Sequence, residues 1–308
     1  MPPRTGADAV RGAALAKVVV VGVGLIGGSF ALAQKRAQAV ATVVGVGRSA
    51  SNLETARRLG IIDRSWTQDQ RWTDELGDAD LVLLATPVGQ MPALFAAVAP
   101  ALGPATVLTD AGSTKQDVIA AARSCLGHAL PRFVPGHPIA GTERSGAAAA
   151  SESLFRDRPV ILTPLPETAI DAQQRVDDAW TACGAAVSTL GALRHDEIFA
   201  AVSHLPHALS FALLSQLARR ADAEDYFRYA ATGFRDFTRL AGSDPEMWRD
   251  VCLGNAAALR RELASYRVEL DRLDSMLSAA DGDGLAALFT RARHARDAWL
   301  AAHAHGRD

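Results

Sequence analysis

Residues 17–27 read Lys17-Val18-Val19-Val20-Val21-Gly22-Val23-Gly24-Leu25-Ile26-Gly27. Four consecutive β-branched residues suit a strand buried on both faces. The glycines after them are spaced GxGxxG, and a helical pattern opens at about Leu25. Each glycine answers a physical demand. Gly22 permits the tight turn, Gly24 removes a side chain so that backbone can approach a pyrophosphate, and Gly27 lets helix and strand pack closely. The helix N-terminus at Leu25 and Ile26 offers free N–H groups and the positive end of its dipole to phosphates. The stretch predicts the first strand–helix unit of a dinucleotide-binding domain.

Outward from it, short apolar runs recur at Thr42–Val46, Leu81–Ala85, Val107–Asp110 and Phe133–Pro135, with later ones at Val160–Thr163 and Ala186–Leu190. Helix-compatible segments separate the early runs at Ser29–Ala37, Ser51–Leu59, Met91–Ala101 and Lys115–Leu126, and another spans about Ala169 to Cys183. That alternation predicts a parallel sheet built from βαβ units. After Gly191 the pattern turns almost wholly helical: Asp196–Arg220, Asp222–Thr232, Pro245–Leu277 and Asp283–His303. The expected fold is α/β, an N-terminal Rossmann-type mostly parallel sheet followed by an all-α C-terminal domain. We expect a loose tail over residues 1–16, a dinucleotide-binding domain over 17–190 and a helical substrate-binding and dimerisation domain over 191–308. The long helix from Pro245 suits an interdomain or dimer seam.

The end of the second strand bears on the cofactor. An NAD site usually places Asp or Glu about 20 residues past the glycines, to accept from the ribose 2′-hydroxyl. Here the chain reads Gly47-Arg48-Ser49-Ala50-Ser51, and the first acid is Glu54. Arg48 and Ser49 offer a cation and a hydroxyl suited to a 2′-phosphate, so NADP is expected in preference to NAD. Thr86 and Pro87, at the end of the next strand, overhang the place where ligands sit in open α/β sheets.

Composition sets the outer limits. With 32 basic against 34 acidic residues the net charge is −2, which speaks against a dedicated nucleic-acid binder. Apolar residues at 49 % supply enough material for a core. The three cysteines are far apart, so neither a disulfide framework nor a metal site is expected. We expect a cytoplasmic protein without a signal peptide or membrane-spanning stretch. Lysine is scarce: Lys17, Lys35 and Lys115 are the only ones, and 29 basic residues are arginine.

Five further motifs follow in order: Gly112-Ser113-Thr114-Lys115, Gly136-His137-Pro138-Ile139-Ala140-Gly141-Thr142-Glu143, Ser203-His204-Leu205-Pro206-His207, Thr238-Arg239-Leu240-Ala241 and Ser243-Asp244-Pro245-Glu246-Met247-Trp248. Behind an N-terminal GxGxxG, this set resembles the prephenate/arogenate dehydrogenase (TyrA) family over about residues 17 to 300. The resemblance implies oxidative decarboxylation of prephenate and/or arogenate, to 4-hydroxyphenylpyruvate or tyrosine, with hydride transfer to a nicotinamide. It also implies a homodimer joined through the C-terminal helices.

By that resemblance His137 accepts a hydrogen bond from the C4 hydroxyl and assists hydride transfer, from a loop fixed by Gly136 and Pro138. Ser113 binds the same hydroxyl and helps orient the histidine, or caps the helix that follows. Ser203 and His207, four apart on a helix, share a face toward substrate, while His204 points elsewhere. Arg239 matches the arginine that grips a substrate carboxylate, and Trp248 lies near the pocket or anchors the core. Lys115 is expected to reach substrate, phosphate or a carboxylate. Thr142 and Glu143 bear on substrate choice, because an acid near the side chain's end would favour the ammonium of arogenate. Two other readings share the layout. A β-hydroxyacid or 6-phosphogluconate-like dehydrogenase would want a lysine on the first interdomain helix, and none follows Lys115. A non-catalytic NADP-binding protein would not need His137, Ser113, His207 and Arg239 together.

Overall fold

Val18 and Val20 pack into one core and Val19 and Val21 into another, which is why all four positions of that run are apolar. The computed structural model describes residues 15–142 and 144–302. Strands β1 (Leu15–Val21), β2 (Val40–Gly47), β3 (Arg64–Thr67), β4 (Leu81–Leu84), β5 (Val107–Asp110) and β6 (Phe133–Val134) form one sheet. All its pairings are parallel, in the order β3-β2-β1-β4-β5-β6. Helices α1 (Leu25–Arg36), α2 (Ala50–Arg58), α3 (Met91–Val98) and α4 (Gln116–Cys125) make the crossovers. This is the doubly wound order, with its switch point between β1 and β4, where ligands bind at carboxyl strand ends.

Two strands escape the hydrophobic pattern. β3 reads Arg-Ser-Trp-Thr at a sheet edge and carries no apolar run. β7 (Gly136–Pro138) holds His137, so the residue expected on a loop sits in a short strand. A separate three-stranded sheet joins β7 antiparallel to β8 (Pro159–Leu162), and β8 parallel to β9 (Ala186–Thr189). His137 lies opposite Ile161 there. Helix α5 (Ile170–Ala182) backs this region, and its buried Trp180 meets Phe30 and Phe155 edge-on at 4.8 and 5.1 Å.

Next come α6 (Ala192–Phe199), a π-helical turn (Ala200–His204) and α7 (Leu205–Ala218). The wide turn has a cause in Pro206, which lacks an N–H and whose ring would crowd the Val202 carbonyl in a regular helix. Contrary to the sequence expectation, Ala192–Ala218 is long and apolar enough to cross a membrane by length and composition, with a mean hydropathy of 1.5 in its most apolar window. The helical stretch also carries His195, Asp196, His204 and His207, which are engaged in the network described below. Helices α8 (Ala223–Arg228), α9 (Thr232–Thr238) and α10 (Pro245–Gly254) follow.

The single helix expected over Pro245–Leu277 is broken at Asn255, whose φ and ψ are −114° and 30°. A side chain at Gly254 would lie 2.3 Å from Asp117 Oδ2, so glycine lets α10 end against α4. The chain resumes as α11 (Ala256–Ser278) and α12 (Gly282–Ala302). The described residues form two compact units, one ending at Ala256 and the other beginning at Ala257. The second unit is the helix pair α11 and α12, which exposes Tyr266, Val268, Leu270, Leu277 and Phe289.

Candidate active site

The glycine turn meets each demand read from its sequence. Gly22 has φ +99°, and a Cβ there would sit 2.4 Å from the Ala85 carbonyl oxygen. A Cβ on Gly27 would sit 2.2 Å from the Gly22 oxygen, the close helix–strand approach. A Cβ on Gly24 would meet nothing within 4 Å, which leaves the approach open. Gly24 is the N-cap of α1, no side chain caps the helix, and its first turn, starting at Leu25 and Ile26, holds no acid. Thr86 Oγ1, beyond β4 and just before Pro87, is buried without a partner. An open glycine, an uncapped helix end and an orphaned hydroxyl fit a dinucleotide.

At the end of β2, Arg48 is exposed. Ser49 has a local task as well: it is the N-cap of α2, and its Oγ accepts from the Asn52 amide at 3.2 Å. The first turn of α2 also holds no acid. A cation and a positive helix end therefore share this edge.

His137 is 9 % exposed, and its Nδ1 lies 2.8 Å from His195 Nε2. His195 Nδ1 in turn lies 2.8 Å from Asp196 Oδ1. Asp196 also accepts from the Lys115 amide through Oδ1 and from the Gln116 amide through Oδ2, each at 2.9 Å. A carboxylate from α6 thus caps α4, the task that Ser113 was weighed for; Ser113 is half-buried and sits just before that helix. Burial pushes the Asp196 carboxyl up, but the His195 hydrogen bond and the two amides outweigh it and hold it below the usual range. Burial lowers His195, against the opposing pull of Asp196. His137 falls well below the ordinary histidine range, first through burial and then through His195, Lys115 and His204. Phe199 packs on both rings, at 4.7 Å from His137 and 4.6 Å from His195.

Lys115 does find a carboxylate, but inside the protein. It is fully buried, its Nζ donating to Asp110 Oδ2 and, at 2.6 Å, to the Gly136 carbonyl. Asp110 Oδ1 accepts from the Gly136 amide at 3.2 Å and Oδ2 from the Gly112 amide at 2.8 Å. Burial raises the Asp110 carboxyl despite the Lys115 ammonium. The expectation of a substrate-facing lysine is corrected: the pair grips both polar groups of the residue before His137. The ammonium is wholly buried and bonded to two internal acceptors, so it faces inward.

His204 and His207 divide as their helix positions dictate. His204 is buried, 3.2 Å from Asn255 Nδ2 through Nδ1, and burial lowers it to about 4. The same Asn255 amide donates to the Asp196 carbonyl at 2.7 Å. His207 Nδ1 donates to the Ser203 carbonyl at 2.9 Å, which leaves Nε2 as its free acceptor. Its ring stacks on Trp248, with centroids 3.6 Å apart and planes at 17°. Burial lowers His207, and Arg239 nearby lowers it further. Arg239 is exposed and makes no ion pair among the described residues, whereas Arg235 pairs with Asp236 at 3.8 Å. Ser203 is half-buried beside His207. Thr142 is exposed and its hydroxyl accepts from the Arg144 amide. Glu143 lies outside the described residues.

His195, Asp196, Phe199 and Asn255 were not singled out from sequence. Leu193-Arg194-His195-Asp196-Glu197 reads as the polar start of a helix, a pattern normally facing solvent. The packing of α6 against α4 buries His195 and Asp196 and leaves Leu193 and Arg194 exposed.

Comparison with known proteins adds a second line of evidence. The family profile described as prephenate dehydrogenase, nucleotide-binding domain, matches residues 30–189. The profile described as prephenate dehydrogenase, dimerization domain, matches residues 192–291. A cyclohexadienyl dehydrogenase of Zymomonas mobilis is 36 % identical over 281 residues, covering 91 % of this chain and 94 % of that protein. Among solved structures, prephenate dehydrogenase from Aquifex aeolicus in complex with hydroxyphenyl propionate and NAD+ superposes with a TM-score of 0.85. It is 34 % identical, over 91 % of this chain and 97 % of that one. Synechocystis arogenate dehydrogenase gives a TM-score of 0.76 at 29 % identity, over 92 % and 99 %.

Proposed function

The chain belongs to the prephenate dehydrogenase family, and from that premise we propose that it catalyses the oxidative decarboxylation of prephenate and/or arogenate in tyrosine biosynthesis, with NADP as hydride acceptor. The protein is a nicotinamide-dinucleotide-dependent oxidoreductase. The observation that carries the finer reading is His137, a buried, neutral imidazole whose Nδ1 is tied back to His195. That leaves Nε2 to accept the C4 hydroxyl. When bound, the nicotinamide supplies the acceptor for the hydride from C4. His137 Nε2 takes the hydroxyl proton as that hydride leaves. The C1 carboxylate departs as CO2, its bonding pair completes the aromatic ring, and the phenolate oxygen takes the proton back from His137.

Around this centre the roles follow from chemistry. Arg239, an unpaired guanidinium fork, clamps a substrate carboxylate. Trp248 holds His207 by stacking, with the His207 Nε2 lone pair and the Ser203 hydroxyl able to receive or donate toward substrate. Ser113, half-buried just before α4, is assigned to bind the same C4 hydroxyl. Arg48 and the positive end of α2 receive the 2′-phosphate of NADP. The exposed apolar residues of α11 and α12, and the half-buried Ala192–Ala218 stretch, suit a second copy of the chain. We place the enzyme in the cytoplasm.

The test follows reduced-nicotinamide absorbance with prephenate or arogenate and either NADP+ or NAD+. Turnover with at least one substrate is expected, and no reduction in any combination sinks the reading. Arg48→Ala should raise KM for NADP+ about 10–100-fold, the loss of one or two charge-assisted hydrogen bonds, and leave KM for NAD+ nearly unchanged. A wild-type preference for NAD+ refutes the Arg48 assignment alone.

A further inference from the structure

Directionality runs through the hydrogen bonds behind His137, and it is set from the start of α4. Asp196 receives three N–H groups, from Lys115, Gln116 and His195. It is a carboxylate that only accepts, so His195 Nδ1 carries the hydrogen. Neutral His195 then has a bare Nε2, which can only accept, so His137 Nδ1 carries the hydrogen of the 2.8 Å bond between the rings. Neutral His137 is left with its lone pair on Nε2. In the other tautomer His137 would present an N–H to the substrate hydroxyl and could not take its proton.

We propose that His195, held by Asp196, is the positioning residue that commits His137 to the Nδ1–H tautomer and so makes Nε2 the reacting nitrogen. This rests on the reading of His137 as the base. His195 itself is fully buried behind His137 and would act through it. The surroundings support the assignment. Phe199 covers both rings, which removes water that could replace either partner. Asn255 fixes the Asp196 backbone from the break between α10 and α11. The Lys115–Asp110 pair fixes the Gly136 peptide on the other side. Two independent anchors thus hold the two histidines in register. Positive charge developing on His137 during hydride transfer is opposed, through His195, by the Asp196 carboxylate.

The experiment labels histidine rings with ¹⁵N and follows His137, identified by its loss in His137→Asn, alongside steady-state kinetics. Wild-type His137 should show a protonated Nδ1 and a bare Nε2 without any ligand. His195→Ala should populate both tautomers and lower kcat about 100-fold, the scale of a misoriented general base, with KM within about threefold. His195→Gln, whose Oε1 falls near the native Nε2, should restore the tautomer and most of kcat. An unchanged tautomer and kcat in His195→Ala, or a rise in KM alone, overturns the proposal. Should His195→Ala fail to fold, His195→Gln decides: a folded Gln variant with a mixed tautomer overturns it. The ring spectrum needs no substrate, so a failure of the substrate assignment reads separately from a failure of the positioning role.

Discussion

Lys115→Met tests the arrangement under strand β7 most severely. Methionine keeps most of the stem and removes the ammonium. In the native protein both partners of the Lys115–Asp110 pair are wholly buried, and Nζ also serves the Gly136 carbonyl. Removing one partner leaves a buried carboxyl with two amides and no counter-charge, a loss of about 3–5 kcal/mol. With an unfolding entropy near 2.1 cal/mol/K per residue over the first compact unit, that corresponds to about 6–9 °C in Tm. The pH dependence has a definite sign. In the variant, Asp110 has a folded pKa raised above its unfolded value of about 3.9, so the penalty is absent below that pH and grows as pH rises toward the folded pKa. The Tm gap to wild type should be small near about pH 4 and widest near about pH 8. Asp110→Asn/Lys115→Met should recover part of the loss, because no charge remains to be buried. Turnover should fall as well, since Gly136 precedes His137. Thermal and urea denaturation across pH measure all of this. A loss below about 1 kcal/mol, or weakened substrate binding at unchanged stability, would refute the buried-pair account and return Lys115 to the ligand site.

Other outcomes follow from particular contacts. Gly24→Ala has open space for its Cβ, so it should fold normally and bind dinucleotide weakly, whereas Gly27→Ala, with its Cβ 2.2 Å from the Gly22 oxygen, should lose stability as well; equal Tm values for the two would contradict the geometry. With His137 as the proposed base, held neutral by burial, kcat/KM should persist as pH falls through about 6.5 and be lost only well below it. An acid limb at or above that value would count against His137. Arg239→Gln should raise substrate KM about 10-fold or more with little change in kcat, as for lost uniform binding, and an unchanged KM removes the clamp.

The legible part of this protein is what short-range patterning controls. The Val18–Val21 run, the glycine spacing and the alternation of apolar runs with helices gave the sheet, its crossovers and the dinucleotide turn, because burial on both faces and positive φ leave marks on local sequence. β3 and β7 left none, one being a polar edge and the other only three residues long. The helix expected from Pro245 to Leu277 ran through Asn255 because Gly-Asn within a helical pattern is tolerated, and the close approach of Gly254 to Asp117 and the Asn255 bonds to Asp196 and His204 at the break are tertiary.

By itself, then, the sequence determined the fold class and the glycine turn, and it named His137, His207, Arg239 and Trp248 as candidates. The tertiary structure decided what those residues can do. It turned Lys115 from a candidate ligand into half of a buried pair, and drew His195 and Asp196 out of a polar helix start into the line behind His137. The reason is distance along the chain. Asp196 bonds amides about eighty residues away, and His137 and His195 are 58 residues apart. Tautomer, charge state and access depend on partners that no local period encodes, and only the packing of α6 on α4 brings those partners within a hydrogen bond.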